Sequence, residues 1–256
     1  MKNLAGILGL KTQRAQRSRL KLDLPGLAIY AIGDVHGCID LLLALEAKIE
    51  ADAQAIQGTK LIVMLGDYVD RGPASAQVLD HLLESPPPGF ERICLAGNHE
   101  IAMLDYIDGR IGLPDWLRMG AAPTLESYGI DAARLGAMYP TGDGADQMIR
   151  KAIPAAHIAF LRSLPIMLET PKALFVHAGI RPGIELAKQS DADLVYIRSE
   201  FFDNAHLLDR HVIHGHTPVL QPLREGKRLN IDTGAFSTGR LSAVRLWNNK
   251  GRFLST

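Results

Sequence analysis

The sequence predicts an α/β fold built on a buried parallel sheet, and three observations carry that expectation. Apolar runs of strand length recur through the first hundred residues: LAIYAI (27–32), KLIVML (60–65) and ERICLA (91–96). Each run is followed by a glycine and a charged or polar cluster: GDVHG (33–37), GDYVDRG (66–72) and GNHE (97–100). After the first two clusters the apolar residues return at helical spacing. A strand that is apolar at nearly every position is covered on both faces, which is the habit of βαβ sheets.

Taken in order, LAIYAI stops at Gly33-Asp34, and Leu41, Leu42, Leu45 and Ile49 then mark a helix over 39–55. KLIVML leads into the second cluster. Pro73 opens the next helix, which runs to about Glu84, because the first turn leaves its N–H groups unbonded anyway. The triple proline at 86–88 forces a loop before the third strand. Residues 101–156 carry scattered helical signals and glycines (WLRMGAAPTLESYG, YPTGDGAD) and are expected to form a helical cap inserted into one domain spanning 25–256. Strands resume at LPIMLE (164–169) and ALFVH (173–177), followed by a helix over 191–204 and by HVIHGH (211–216). RLNID (228–232) and LSAVRLW (241–247) alternate, which predicts a second, more antiparallel sheet.

Composition narrows the function classes. The chain has 256 residues, 47% of them hydrophobic, enough for a sizeable core. Its formal net charge is zero, so no global field favours nucleic acid or an anionic membrane. No stretch approaches the roughly 20 apolar residues of a membrane span. Only the start is one-signed: Lys2, Lys11, Arg14, Arg17, Arg19 and Lys21 stand against Asp23, and residues 1–24 are expected as a flexible basic leader. LAGILGL within it is short and lacks a cleavage pattern, so it does not read as a secretory signal. Cys38 and Cys94 are too few and too isolated for a disulfide framework or a zinc knuckle, which fits a reduced, cytoplasmic setting.

The strand ends carry the chemistry. In parallel sheets, ligands bind beyond the carboxyl ends of the strands. There the sequence puts Asp34, His36, Asp67, Asp70, Arg71, Asn98 and His99, then His177 in HAG and His216 in HGHT. Carboxylate, imidazole and amide oxygen without thiolate suit Mn²⁺, Fe²⁺, Mg²⁺ or Zn²⁺ in open sites. The ligands outnumber the needs of one ion. Two ions about 3.5–4 Å apart, sharing a carboxylate, would use them all, and such pairs serve phosphoryl transfer.

GDVHG, GDYVDRG, GNHE, HAG and HGHT, in this order, resemble the signature blocks of PPP-type serine/threonine phosphoprotein phosphatases of the bacterial and phage type, within the calcineurin-like metallophosphoesterase superfamily. The resemblance runs from about Ala28 to Leu246. It implies the metallophosphatase fold: two mixed sheets packed as a sandwich and flanked by helices. It also implies two divalent metal ions, Mn²⁺ foremost with Fe, Zn or Mg as substitutes. By that resemblance Asp34 and His36 hold the first metal, Asp67 bridges, and Asn98, His177 and His216 hold the second. His99 matches the acid that protonates the leaving oxygen, and Asp70 the carboxylate that orients it. Arg71 and Arg198 match the phosphate clamps, with Arg181 the competing arginine. His214 falls on the other strand face, where packing or support of a ligand is expected. Asp232 in IDTGA matches a supporting position. One departure is Gly120-Ala121, where the bacterial phosphatases more often carry Gly-Gly.

The implied activity is a serine/threonine protein phosphatase using direct attack by a metal-bridging hydroxide. Its substrate would be a phosphoprotein or a small phosphoester, with no nucleic-acid partner. Two alternatives stand beside it: a symmetrical diadenosine tetraphosphatase or other nucleotide phosphohydrolase, and a catalytically silent scaffold or phosphate sensor. Asp70 and the glutamate of GNHE favour the first reading, because the tetraphosphatases typically carry alanine and GNHD there. Silent relatives usually lose a ligand or the acid, and none is missing here.

Overall fold

The computed structural model describes residues 16–132, 134–135 and 143–256. Two mixed sheets pack face to face, with helices on their outer sides. The first contains β2 (Ala28–Ile32), β3 (Lys60–Met64), β4 (Phe90–Cys94), β10 (Ser242–Trp247) and β11 (Lys250–Ser255), in the order β11-β10-β2-β3-β4. Strands β2, β3 and β4 are parallel, and β10 pairs antiparallel with both β2 and β11. The second contains β1 (Arg19–Lys21), β5 (Met167–Glu169), β6 (Ala173–Val176), β7 (His211–His214), β8 (Leu223–Glu225) and β9 (Arg228–Asn230), in the order β1-β5-β6-β7-β9-β8. Its central strands β6, β7 and β9 are parallel.

Side chains alternate across a strand, so each strand feeds two cores. Ile29, Ala31, Leu61 and Val63 meet Phe175, Ile213 and Leu229 between the sheets. Ala28, Tyr30, Ile32, Ile62 and Met64 face outward and join Leu42, Leu45, Ile49, Val78 and Leu79 of helices Ile39–Ala53 and Ser75–Leu83. This double demand explains why AIYAI is buried at every position. It also puts the carboxyl ends of β2, β3, β4, β6 and β7 along one edge.

Several expectations are corrected. Residues 17–22 do not belong to a flexible leader: β1 pairs in parallel with β5, and Arg17 and Arg19 are tied down. Arg17 donates to Leu161 O and Leu164 O at 3.0 and 2.8 Å, and Arg19 reaches Asp191 at 3.1 Å. Leader residues 1–15 lie outside the described residues. RLNID and LSAVRLW do not share a sheet. β9 lies beside β7, and β10 crosses back to β2. The helix expected over 191–204 is two, Asp191–Tyr196 and Ser199–Asp203, because Ile197 is extended and Arg198 leaves helical geometry at φ −135°, ψ −101°. Strands β1, β8 and β11 were not legible. Each is short or largely exposed and carries no apolar run.

Candidate active site

Two loops build the centre, and they are zipped together by their backbones. Val35 N and His36 N both donate to Asp67 O, at 3.1 and 2.8 Å, and Gly37 N donates to Tyr68 O at 2.8 Å. The approach is so close that a Cβ on Gly72 would lie 2.0 Å from His36 O, which is why glycine stands there. The second loop is further bent by left-handed backbone at Asp67, Asp70 and Arg71, with φ of 53°, 69° and 71°. Glu100 holds this shape. Its carboxylate accepts from Asp67 N, Tyr68 N and Gly97 N at 2.7–2.8 Å. The same contact to Gly97 closes the first turn of helix Asn98–Ile107, so Asn98 and His99 project from a fixed helix start.

Around Asp67 the sequence-predicted residues converge. Its Oδ2 lies 3.6 Å from His36 Nε2, 3.8 Å from His99 Nε2 and 3.4 Å from His177 Nε2. Candidate ligand atoms fall in two groups, His36–Asp67–His99 and Asp67–His177–His216, each with its atoms within 4.8 Å of one another. Asp67 belongs to both. Asn98 joins the second group, its Oδ1 3.0 Å from His177 Nε2 and 2.9 Å from His216 Nδ1. Asp34 accepts from His216 N at 3.0 Å through Oδ2, while its Oδ1 is buried with no hydrogen-bond partner.

The protons show what the cluster suits. His177 Nδ1 donates to Leu65 O at 3.0 Å and His36 Nδ1 to Val69 O at 2.9 Å, which turns each Nε2 inward toward Asp67. At His177 that nitrogen faces the Asp67 carboxylate, Asn98 Oδ1 at 3.0 Å and His216 Nδ1 at 3.2 Å. A buried cluster of acceptors needs cations, and this donor set fits divalent metals. Charge effects agree. Burial alone would raise the Asp67 carboxyl, but His177 and His99 hold it well below the usual range. Asp34 is pushed well above it by burial and then by Asp232 and Asp67. Burial drives His36 down to about 3, and burial with His177 drives His216 down to about 2, so both imidazoles stay neutral ligand material.

His99 stands apart from this pattern. Its Nδ1 lies 2.8 Å from Asp70 Oδ2, and its Nε2 is buried and unpartnered. Burial opposes its protonation, yet Asp67 and Asp70 outweigh burial and raise its pKa. Asp70 is itself gripped: Trp116 Nε1 donates to Oδ2 at 3.1 Å and Thr124 Oγ1 to Oδ1 at 2.9 Å. Sequence reasoning missed Glu100 as a support, and it missed Trp116 and Thr124. Glu100 was findable as the third helical residue of a capping box. The other two lie 46 and 54 residues from Asp70, with nothing local to reveal them.

The arginines differ. Arg71 Nη1 donates to His36 Nε2 at 3.0 Å, at the cluster. Arg198 is exposed, reaches Thr217 Oγ1 at 3.4 Å, and lies near enough to disfavour a charge on His216. Arg181 is taken up by ion pairs with Asp193, at 2.8 Å, and with Glu200. His214 is packed away against Phe201, its Nδ1 donating to Gly215 O at 2.9 Å. Asp232 binds Gly234 N at 2.9 Å through Oδ1 and stands beside Asp34.

Known proteins carry the same frame. The profile of the calcineurin-like phosphoesterase family matches residues 27–228. An asymmetrical bis(5'-nucleosyl)-tetraphosphatase of Anoxybacillus flavithermus is 23% identical over 235 residues, covering 84% of this chain and 88% of its own. Among solved structures, a candidate diadenosine tetraphosphatase aligns at TM-score 0.65 with 19% identity, covering 93% of this chain and 98% of that one. A serine/threonine protein phosphatase from Saccharomyces cerevisiae aligns at 0.55 with 16% identity, over 94% and 84%. At such identities the structures speak for the fold alone. With the match spanning both halves of the sandwich and every strand-end cluster up to His216, the chain belongs to the calcineurin-like phosphoesterase family.

Proposed function

We propose that this phosphoesterase cleaves the polyphosphate bridge of dinucleoside polyphosphates, of the bis(5'-nucleosyl)-tetraphosphate class. The observation that carries this reading is the relative with that activity in its name, matched over 84% of this chain and 88% of its own. In this reading Asp34, His36, Asp67, Asn98, His177 and His216 would hold two divalent metals, Asp67 standing in both groups of candidate ligands. Metals bound there supply Lewis acidity, activating water and neutralising phosphate oxygens. Arg71 and Arg198 align the phosphate chain from either side, because a guanidinium binds phosphate oxygens in pairs. His99, protonated and held by Asp70, turns Nε2–H toward the leaving oxygen.

A second reading, hydrolysis of phosphoserine or phosphothreonine, is favoured by one feature. The buried His99–Asp70 pair keeps a protonated imidazole at the site, and an alkoxide leaving group needs a proton far more than a nucleotide phosphate does. A metal-defined assay comparing diadenosine tetraphosphate, a phosphopeptide and a small aryl phosphate separates the two. Cleavage of the dinucleotide is expected, and the products (ATP with AMP, or two ADP) tell which phosphorus is attacked. Turnover of the phosphopeptide with none of the dinucleotide would replace the first reading by the second.

A further inference from the structure

The ligand cluster has two sides, and each carries an aromatic ring and an arginine. On the His36 side, the Phe236 ring meets His36 edge-on, 5.4 Å between centroids, and the Arg71 guanidinium lies 5.2 Å from the Phe236 ring centre. On the His216 side, Tyr196 meets His216 edge-on at 6.4 Å. Arg198, two residues along, reaches Thr217 beside that histidine. Both rings remain open to water, Tyr196 at 47% and Phe236 at 40% exposure. A scattered exposed aromatic needs no explanation. Two of them, each against a different histidine of the cluster, one under the Arg71 guanidinium and the other two residues from Arg198, are a different matter. Phosphate recognition accounts for the arginines, and the exposed ring surface beside them is available to the rest of a substrate.

We propose that Phe236 and Tyr196 are the two nucleobase platforms of the site. The polyphosphate bridge lies across the cluster between Arg71 and Arg198, and one base stacks on each ring. This assignment rests on the dinucleoside polyphosphate reading. Stacking uses the face of the base and not its hydrogen-bonding edge, so adenosine and guanosine are both accepted. The two platforms also explain recognition at both ends of a long, flexible substrate, since each base adds contact that a bare phosphate chain lacks.

The test compares diadenosine tetraphosphate with tripolyphosphate, which has a phosphate chain and no base. Tripolyphosphate is followed as substrate and, where it is not cleaved, as a competing inhibitor. Phe236→Ala and Tyr196→Ala are each expected to lower kcat/KM for the dinucleotide by roughly 5- to 100-fold relative to tripolyphosphate, the range typical of one stacked base. Phe236→Trp and Tyr196→Trp should restore the preference, since a larger ring stacks as well. Equal losses on both ligands in Phe236→Ala would mean that the ring only seats Arg71, and would overturn the platform assignment. Wild-type protein that cleaves the dinucleotide, with alanine variants that keep its preference, overturns the platforms and leaves the activity standing. Wild-type protein that does not cleave the dinucleotide removes the activity reading, and the platforms with it.

Discussion

The two edges of the sandwich are built from the same strands and treat polar groups in opposite ways. At the edge where β2, β3 and β7 end, His36, Asp67, Asp70, Arg71 and His216 all adopt left-handed backbone, at φ between 45° and 71°. These are five of the seven non-glycine residues with positive φ among the described residues. The other two, Asn248 and Asn249, form the two-residue turn between β10 and β11 at the far edge, where asparagine tolerates the conformation. The far edge also opens a cavity of about 980 Å³. Yet among the described residues lining it His211 Nδ1 is the one buried side-chain atom without a partner, and Arg210 pairs with Glu169 at 2.7 Å, Lys172 with Asn249 at 2.5 Å, and Lys227 with two carbonyls at 2.8 Å. The site edge instead leaves Asp34 Oδ1 and His99 Nε2 without partners in a buried setting. Strain and unused hydrogen-bonding capacity mark the functional edge better than open volume does.

The contrast can be broken from the site side first. Asp67→Asn should lower turnover roughly a thousand-fold or more in metal-replete buffer, the several kcal/mol that bound metals supply. Metal content measured on the purified variant should fall with it. Unchanged activity would remove Asp67 from its shared position. His99→Asn should keep the metals and lose about 100- to 10,000-fold on an alkyl phosphate, less on an activated aryl ester. Equal losses on both esters would count against proton donation.

Smaller effects sharpen the comparison. Thr124→Val deprives Asp70 Oδ1 and Asp70 N of a buried partner at 2.9 and 2.8 Å. It should cost about 1–3 kcal/mol in stability, read by denaturant melting, with a loss of kcat smaller than that of His99→Asn. Asn249→Gly, at the far edge, should change stability by no more than about 0.5 kcal/mol and leave kcat alone, because the turn already suits the conformation. A kcat effect there would show that the two edges are not independent.

Much of the site was legible before any fold was known. Asp34, Asp67, Asn98 and His177 follow directly on apolar runs, so ending the run fixes where each emerges. Of the two histidines of HGHT, His216 stands in the cluster of candidate ligands, while His214 packs against Phe201. The substrate was less legible. Asp70 and Glu100 read as marks of a protein phosphatase, while the relatives carry tetraphosphatase names. Glu100 has a structural duty that explains it without reference to substrate: it accepts the amides of the strained loop.

By itself, the sequence determined the strands that are buried on both faces, the edge at which they end, and the ligand types gathered there. Those features are local, because an apolar run and the cluster after it lie within about a dozen residues. Only the tertiary structure decided that β10 joins β2 while β9 joins β7, that Arg17 and Arg19 anchor a strand, and that Trp116 and Thr124 grip Asp70. It also decided that Phe236 and Tyr196 flank the histidines. Such contacts join residues tens to hundreds of positions apart. Local pattern does not encode them, because they form only when packing brings distant segments into van der Waals reach.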